Sequence, residues 1–356
     1  MNNEISILQA DAINLLKELI ATPSFSKEED NSSAVIKRFL ETHHVKPDQW
    51  LYNIWAKNKY FDQDKPTILL NSHHDTVKPN KGYTLDPFSP LEKDGKLFGL
   101  GSNDAGGCLV SLLALFLYFY DKENLKYNII IAATAEEEIS GHNGIEALLP
   151  LIGKVDCAIV GEPTQMQMAV AEKGLMVLDC TATGRAGHAA REEGDNAIYK
   201  AIKDIEWFNT HKFDKVSDLL GPVKMSVTVI ETENKAHNVI PSQCRFVVDC
   251  RVNELYSFEE MLDIIRSNVR SDVNPRSTRL RSSSIALDHS LVEAGLKLGR
   301  TYYGSPTTSD KALMTFPALK IGPGDSARSH TANEYIYVDE VKEGIELYIQ
   351  LLNQLV

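Results

Sequence analysis

Apolar positions near the start of the chain recur at helical spacing. Leu8, Ala12, Leu15, Leu16, Leu19 and Ile20 share one face and predict an amphipathic helix. Three later runs, residues 67–71, 128–134 and 157–161, are continuously apolar, as in strands buried on both faces. Helical patterns alternate with these runs, which predicts an α/β unit built on a mixed, mostly parallel sheet. The longest apolar stretch, residues 109–120, falls short of the ~20 residues a membrane span requires. It predicts a buried helix, entered at Gly106-Gly107 and left at Asp121-Lys122-Glu123.

The texture changes near Glu172. Residues 174–183 read as a strand and 196–209 as a helix. An alternating strand follows at 223–231, with Met225, Val227 and Val229 on one side, then a strand at 243–252 and a helix at 258–270. This β-α-β-β-α order predicts an inserted α+β, ferredoxin-like unit with its helices on one face of a compact sheet. The Ser- and Arg-rich segment 274–284 reads as a return linker. A helix at 290–299, a short strand at 318–322 and a closing helix at 339–355 then complete the first domain. The predicted boundaries are therefore 1–171 with 285–356, and 172–284.

Composition narrows the class. With 356 residues, 43% of them hydrophobic and 24% charged, the chain suits two soluble globular domains rather than a disordered polymer. Its net charge of −12 repels a phosphate backbone and argues against nucleic-acid binding. Five scattered cysteines contain no Cys-x-x-Cys pair, so the expectation is buried thiols in a reducing cytoplasm, not a thiolate zinc site. The first cation is Lys17, so the start of the chain lacks the basic region of a signal peptide. No membrane partner is expected.

The chemistry concentrates where strands end. The three runs finish in Ser72-His73-His74-Asp75, Ala135-Glu136-Glu137-Glu138 and Gly161-Glu162-Pro163. Ligands of open α/β sheets bind beyond the carboxyl ends of the strands, so these side chains point to one crevice. The loop 99–107 is glycine-rich and leads into the buried helix. Asp104 fits a helix N-cap there, or a place between two cations; a carboxylate argues against a phosphate cradle. His330 sits in a turn before the last helix. Histidine and carboxylate without thiolate suit zinc or a related divalent ion.

Together, His73-x-Asp75, Gly101-x-x-Asp104, Glu137-Glu138, Gly161-Glu162-Pro163 and Ser329-His330 resemble the five metal-site motifs of the co-catalytic di-zinc amidohydrolases. That family includes aminoacylases, acetylornithine deacetylase, succinyl-diaminopimelate desuccinylase and glutamate carboxypeptidases. The resemblance is ordered and spans essentially the whole chain. It implies a zinc-peptidase-type catalytic domain interrupted by a dimerisation or lid domain, hence a homodimer through the insertion. It also implies two zinc ions, with cobalt as a substitute. His73 would bind one ion and His330 the other, Asp104 would bridge them, and Glu138 and Glu162 would each complete one site. Glu137 would be the general base, and Asp75 would hold the His73 imidazole. Glu136 leaves a shift of register by one residue open, although the Thr134-Ala135-x-Glu-Glu frame favours Glu137 and Glu138. His73, not its neighbour His74, keeps the His-x-Asp spacing.

In the insertion, residues 184–189 resemble the family's lid motif, in which His188 would hydrogen-bond a developing oxyanion. Asn238 and Arg251 lie in further lid-like motifs and are candidates for contact with substrate, with an ion pair to Asp249 as the alternative for Arg251. The activity implied is removal of the acyl group from an N-acyl amino acid, nearest to N2-acetylornithine deacetylation in arginine biosynthesis. Acetylcitrulline, acetyl-lysine, succinylated amino acids or a dipeptide are alternative substrates. A metal-dependent phosphoesterase would use the same acids but needs Arg or Lys to clamp phosphate, and the strand-end motifs hold almost none. A non-catalytic descendant would lack a ligand or the base, whereas every position here is filled.

Overall fold

A computed structural model describes residues 3–191 and 193–356. The chain forms two compact units, one of residues 1–170, 284–303 and 309–356, the other of residues 171–283 with 304–308. The return segment 304–308 thus joins the second unit, where the sequence had suggested the first. The reason is local: Lys173 N–H donates to the Ser305 carbonyl (3.1 Å) and Thr308 Oγ1 donates to the Lys173 carbonyl (2.9 Å).

In the first unit, strands Asn128–Thr134, Thr67–His73, Cys157–Val160 and Ala318–Lys320 lie side by side and parallel. Asn53–Lys57 and Asp48–Trp50 extend one edge in antiparallel fashion, which makes the sheet mixed. Every residue of Thr67–His73 and Asn128–Thr134 is buried, as continuous apolar runs require. The two faces of the sheet build two cores. Ile68 and Leu70 pack with helices Asn3–Ile20, Gly107–Phe119 and Val338–Leu352, while Leu69 packs with helix Ile145–Ile152. His73 pairs with Thr134 across the ladder and Asn71 with Val160, so three strands finish almost level. That alignment brings their chemistry to one rim.

The window Ser102–Phe119 is long and apolar enough to cross a membrane by composition, yet 83% of it is buried inside the fold. It is a core helix. An all-round apolar helix suits this place, because its neighbours are apolar on every side.

The second unit has a four-stranded antiparallel sheet in the order Lys224–Glu231, Gln243–Val252, Gly174–Thr183, Asp272–Pro275. Its helices Ala197–Thr210 and Phe258–Asn268 bury Ala201, Phe208, Met261 and Ile265 against Leu178, Cys180, Phe246 and Val248. Caps fix where these helices start. Asn196 Oδ1 accepts from Ile198 N (2.9 Å), and Ser257 and Glu260 form a reciprocal capping box. Two sequence expectations are corrected here. Residues 272–275 are a fourth strand, so the linker starts later and the unit completes a β-α-β-β-α-β ferredoxin-like order. The expected alternation along 223–231 is broken by a bulge between Val227 and Val229, which leaves Val229 exposed.

Because Phe116 is fully buried in the core of the first unit, Phe116→Ala should destabilise that unit by about 3–5 kcal/mol. Its denaturant midpoint, compared with wild type, measures this.

Candidate active site

His73 is the last residue of its strand, and alternation of side chains sends His74 to the opposite face. His74 is fully employed there. Its Nε2 donates to the Tyr52 carbonyl (2.9 Å), and its Nδ1 accepts from the Ser32 hydroxyl (2.9 Å). Burial pushes its pKa down to about 4, so it stays neutral. His73 Nδ1 donates to the backbone carbonyl of Asp75 (3.0 Å), which turns Nε2 toward the acids. Asp104 lies 3.3 Å from that nitrogen, Glu162 3.8 Å and Glu137 3.9 Å.

Asp75 does more than the spacing suggests. Its side chain is 3.5 Å from His73 Nδ1, a longer contact than the one its own carbonyl makes. The carboxylate instead accepts N–H from Glu137 (3.0 Å) and Glu138 (3.1 Å), and O–H from Ser26 (2.7 Å). Asp75 therefore orients the acidic turn as well as the histidine. Glu136 leaves that turn with a positive φ of 56°, and its buried carboxylate accepts from Asn143. This fixes the register: Glu137 and Glu138, not Glu136, face the cluster.

Asp104 caps no helix. Gly101, at φ +74°, lets the loop pass so close to Thr76 that a Cβ would meet its methyl at 2.6 Å. The loop then carries Asp104 between two imidazoles, 3.3 Å from His73 Nε2 and 3.6 Å from His330 Nε2. His330 is the more open of the two, about half exposed, and its Nε2 lies 3.0 Å from Glu138. Single ligand atoms of His73, Asp104 and Glu138, and of His73, Glu137 and Glu162, fall within 4.8 Å of one another. The five distant segments meet at one rim of the sheet.

The electrostatics follow from crowding. Burial opposes a charge on His73, but contact with Asp104 and Asp75 and the nearby charges of Glu137 and Glu162 hold its pKa well above the usual value. Contact with Glu138 raises His330 to about 9. Burial drives Glu137 well above the ordinary carboxyl range, with Glu162, Asp310 and Glu138 adding to the rise and His73 opposing it.

Sequence reasoning missed Asp310. Its buried carboxylate accepts the Thr134 hydroxyl (2.7 Å) and so braces the strand end from which Glu137 and Glu138 emerge. No spacing could reveal it, because the partner lies 176 residues away. Three expected residues, His188, Asn238 and Arg251, belong to the second unit. His188 is exposed on a two-residue strand paired with Val239–Ile240, its Nδ1 accepting from Ala190 N (3.1 Å). Asn238 is exposed and its carbonyl accepts from Ala189. The Arg251 guanidinium donates twice to Asp249 (2.8 and 3.0 Å).

Imidazole and carboxylate groups gathered at one rim of a mixed α/β sheet make a donor set suited to divalent ions. The chain belongs to peptidase family M20/M25/M40, whose family model matches residues 69–354. It is 26% identical over 378 residues to succinyl-diaminopimelate desuccinylase 2 of Ruegeria sp. (strain TM1040), covering 96% of this chain and 94% of that one. It is 25% identical to the succinyl-diaminopimelate desuccinylase of Wolbachia pipientis subsp. Culex pipiens, covering 97% and 93%. Among solved structures, aminopeptidase PepT of Bacillus cereus superposes with a TM-score of 0.78 at 19% identity, covering 98% of both chains. The YXEP protein of Bacillus subtilis, a dinuclear metal binding peptidase, superposes with a TM-score of 0.72 at 15% identity, again over 98% of both. These two likenesses show the fold.

The raised pKa values carry a sign. A group whose folded pKa exceeds its unfolded value stabilises fully below the unfolded value and loses that stabilisation as pH rises through the folded one. His330 goes from 6.5 to about 9, and Glu334, lifted by burial and by the charge of Asp104, from 4.5 to about 8. The melting temperature of chelator-treated protein should therefore fall by a few degrees between about pH 6.5 and pH 9. Thermal denaturation across that window checks this, and a flat or rising profile would contradict it.

Proposed function

We propose that this chain is a metal-dependent amidohydrolase that removes the acyl group from an N-acyl amino acid. One observation carries the reading: Asp104 lies between the imidazoles of His73 and His330, with Glu138 beside one and Glu162 beside the other. The donor set fits a pair of divalent ions. Imidazole nitrogen and carboxylate oxygen suit zinc, or cobalt in its place, and several acids this close are stable only with positive charge among them. His73, Asp104 and Glu162 would hold one ion, and His330, Asp104 and Glu138 the other. When bound, such a pair supplies Lewis acidity, lowering the pKa of a water and polarising the amide carbonyl.

The residues of the chain do the rest. Glu137 takes the proton of the attacking water and delivers it to the departing amine. Burial suits it to this task by raising its proton affinity above that of an ordinary carboxylate. Asp75 holds Glu137 in place through its backbone N–H and fixes the ring of His73. In the second unit, His188 is the proposed donor to the developing oxyanion, and Asn238 and Arg251 the proposed substrate contacts. Arg251 must then share with substrate the guanidinium that Asp249 now holds.

The motif frame, Thr-Ala-x-Glu-Glu with the Gly-Pro-Gly and His-Thr-x-x-Glu ending, supports N2-acetylornithine as substrate, giving ornithine and acetate for arginine biosynthesis. The desuccinylase names of relatives 24–26% identical support a second reading, a succinylated amino acid. We further propose a cytoplasmic homodimer associating through the inserted unit.

Two tests follow. Glu137→Gln should keep the metal content of the wild type and lower kcat by about 10²–10⁴-fold on the best member of a panel of N-acetyl and N-succinyl amino acids. An unchanged rate would refute the base assignment, and the panel ranks the acyl groups. Metal binding must also displace protons, because His330 titrates at about 9 and His73 well above its usual value. Calorimetric titration of metal-free protein with zinc near neutral pH, in buffers of different ionisation enthalpy, should show net proton release and an affinity that rises with pH. Binding independent of pH would count against these histidines as ligands.

A further inference from the structure

Glu334 is 1% exposed, lies four residues after His330, and is not among the proposed ligands. Its Oε1 accepts the N–H groups of Asn103 (2.9 Å) and Asp104 (2.9 Å), and its Oε2 accepts that of Gly101 (3.2 Å). Its own carbonyl accepts from Gly99 N (3.0 Å). Four bonds thus tie one residue to the loop that presents Asp104. Left-handed backbone at Gly101 turns the N–H groups of this loop inward, before the helix Gly107–Phe119 begins. A carboxyl group, with acceptor lone pairs on two oxygens in one plane, can take three converging N–H groups, one more than the lone pairs of a single amide oxygen allow.

The segment that carries Glu334 is itself held. Asn80 Nδ2 donates to the His330 carbonyl (3.1 Å), and Asn333 Oδ1 accepts from Thr84 N (2.9 Å) and Leu85 N (3.0 Å). His330 and Asn333 both adopt positive φ, which keeps the segment tightly turned. One end of it therefore presents His330, while the other grips the backbone of Asp104.

We propose that Glu334 is a positioning residue: it sets the loop that places Asp104 between His73 and His330, so that both ion sites exist before a cation arrives. The inference rests on the two-ion reading above. In Glu334→Gln, one oxygen can still serve Asn103 and Asp104, but the new amide NH₂ opposes the Gly101 N–H. Glu334→Ala removes all three acceptors.

The test is calorimetric titration of metal-free wild type and both variants with zinc, beside their metal-free melting temperatures. The visible spectrum of the cobalt-loaded proteins is recorded as well. Expected are a Glu334→Gln protein that remains folded without metal, zinc affinity lowered by about 10–100-fold, and an altered cobalt spectrum. Glu334→Ala should be affected more, and if it fails to fold, Glu334→Gln decides. Wild-type affinity and spectrum in a folded Glu334→Gln protein would overturn the proposal. Loss of the metal-free fold in both variants would also overturn it, by reducing Glu334 to a general stability role. A wild type that takes up no zinc would instead sink the two-ion reading, a failure visible before any variant is compared.

Discussion

Too many carboxylates meet at one end of this sheet for any of them to be accidental. Repulsion among acids in a partly buried crevice has to be offset, and the fold offsets it in two ways. Some acids are given backbone N–H donors: Asp75 takes those of Glu137 and Glu138, Glu136 takes that of Asn143, and Glu334 takes three from the loop 101–104. These carboxylates become structural anchors. Others face imidazole: Asp104 meets His73 and His330, and Glu138 meets His330. Pairing of the second kind depends on a proton that a cation can replace. The partition between backbone-bound and imidazole-facing acids thus separates the frame of the site from its chemistry.

The frame also explains how segments far apart in sequence come to present their side chains at one site. Parallel strands finish at a common level because their register is fixed along their buried lengths, and each last residue inherits that precision. Asp104 and His330 have no strand to hold them. Their loops are set by positive-φ turns and by side-chain acceptors such as Glu334 and Asn333. Where regular structure is lacking, buried hydrogen bonds take over its role.

Much of this was legible in the sequence, for identifiable reasons. Continuous apolar runs exposed the central strands because burial on both faces leaves no polar alternation. The polar residues that ended each run then marked the rim. Helical periodicity placed the starts of two helices, read at 196 and 258, within one residue of their positions. Less legible were features that depend on partners remote in the chain. Asp310 braces Thr134 across 176 residues, and the segment 304–308 crosses to the second unit through bonds to Lys173. The strand Asp272–Pro275 was hidden because it is short, ends in proline and looks like linker; only its pairing with Gly174–Thr183 defines it. The bulge at Val227–Val229 broke a period that local sequence alone extends.

The two adjacent histidines show how sharply position decides chemistry. His73 and His74 are both buried, so burial alone would lower both pKa values alike. His74 points to the side where a carbonyl and a hydroxyl await it, and it becomes a neutral strut. His73 points to the side where Asp104, Glu137 and Glu162 gather, and their attraction overcomes the cost of burying its charge. A one-residue slip of strand Thr67–His73 would exchange these environments. It would turn His74 toward the acids and His73 toward the Tyr52 carbonyl. The apolar residues that fix the register of this strand therefore determine which imidazole can serve as a ligand.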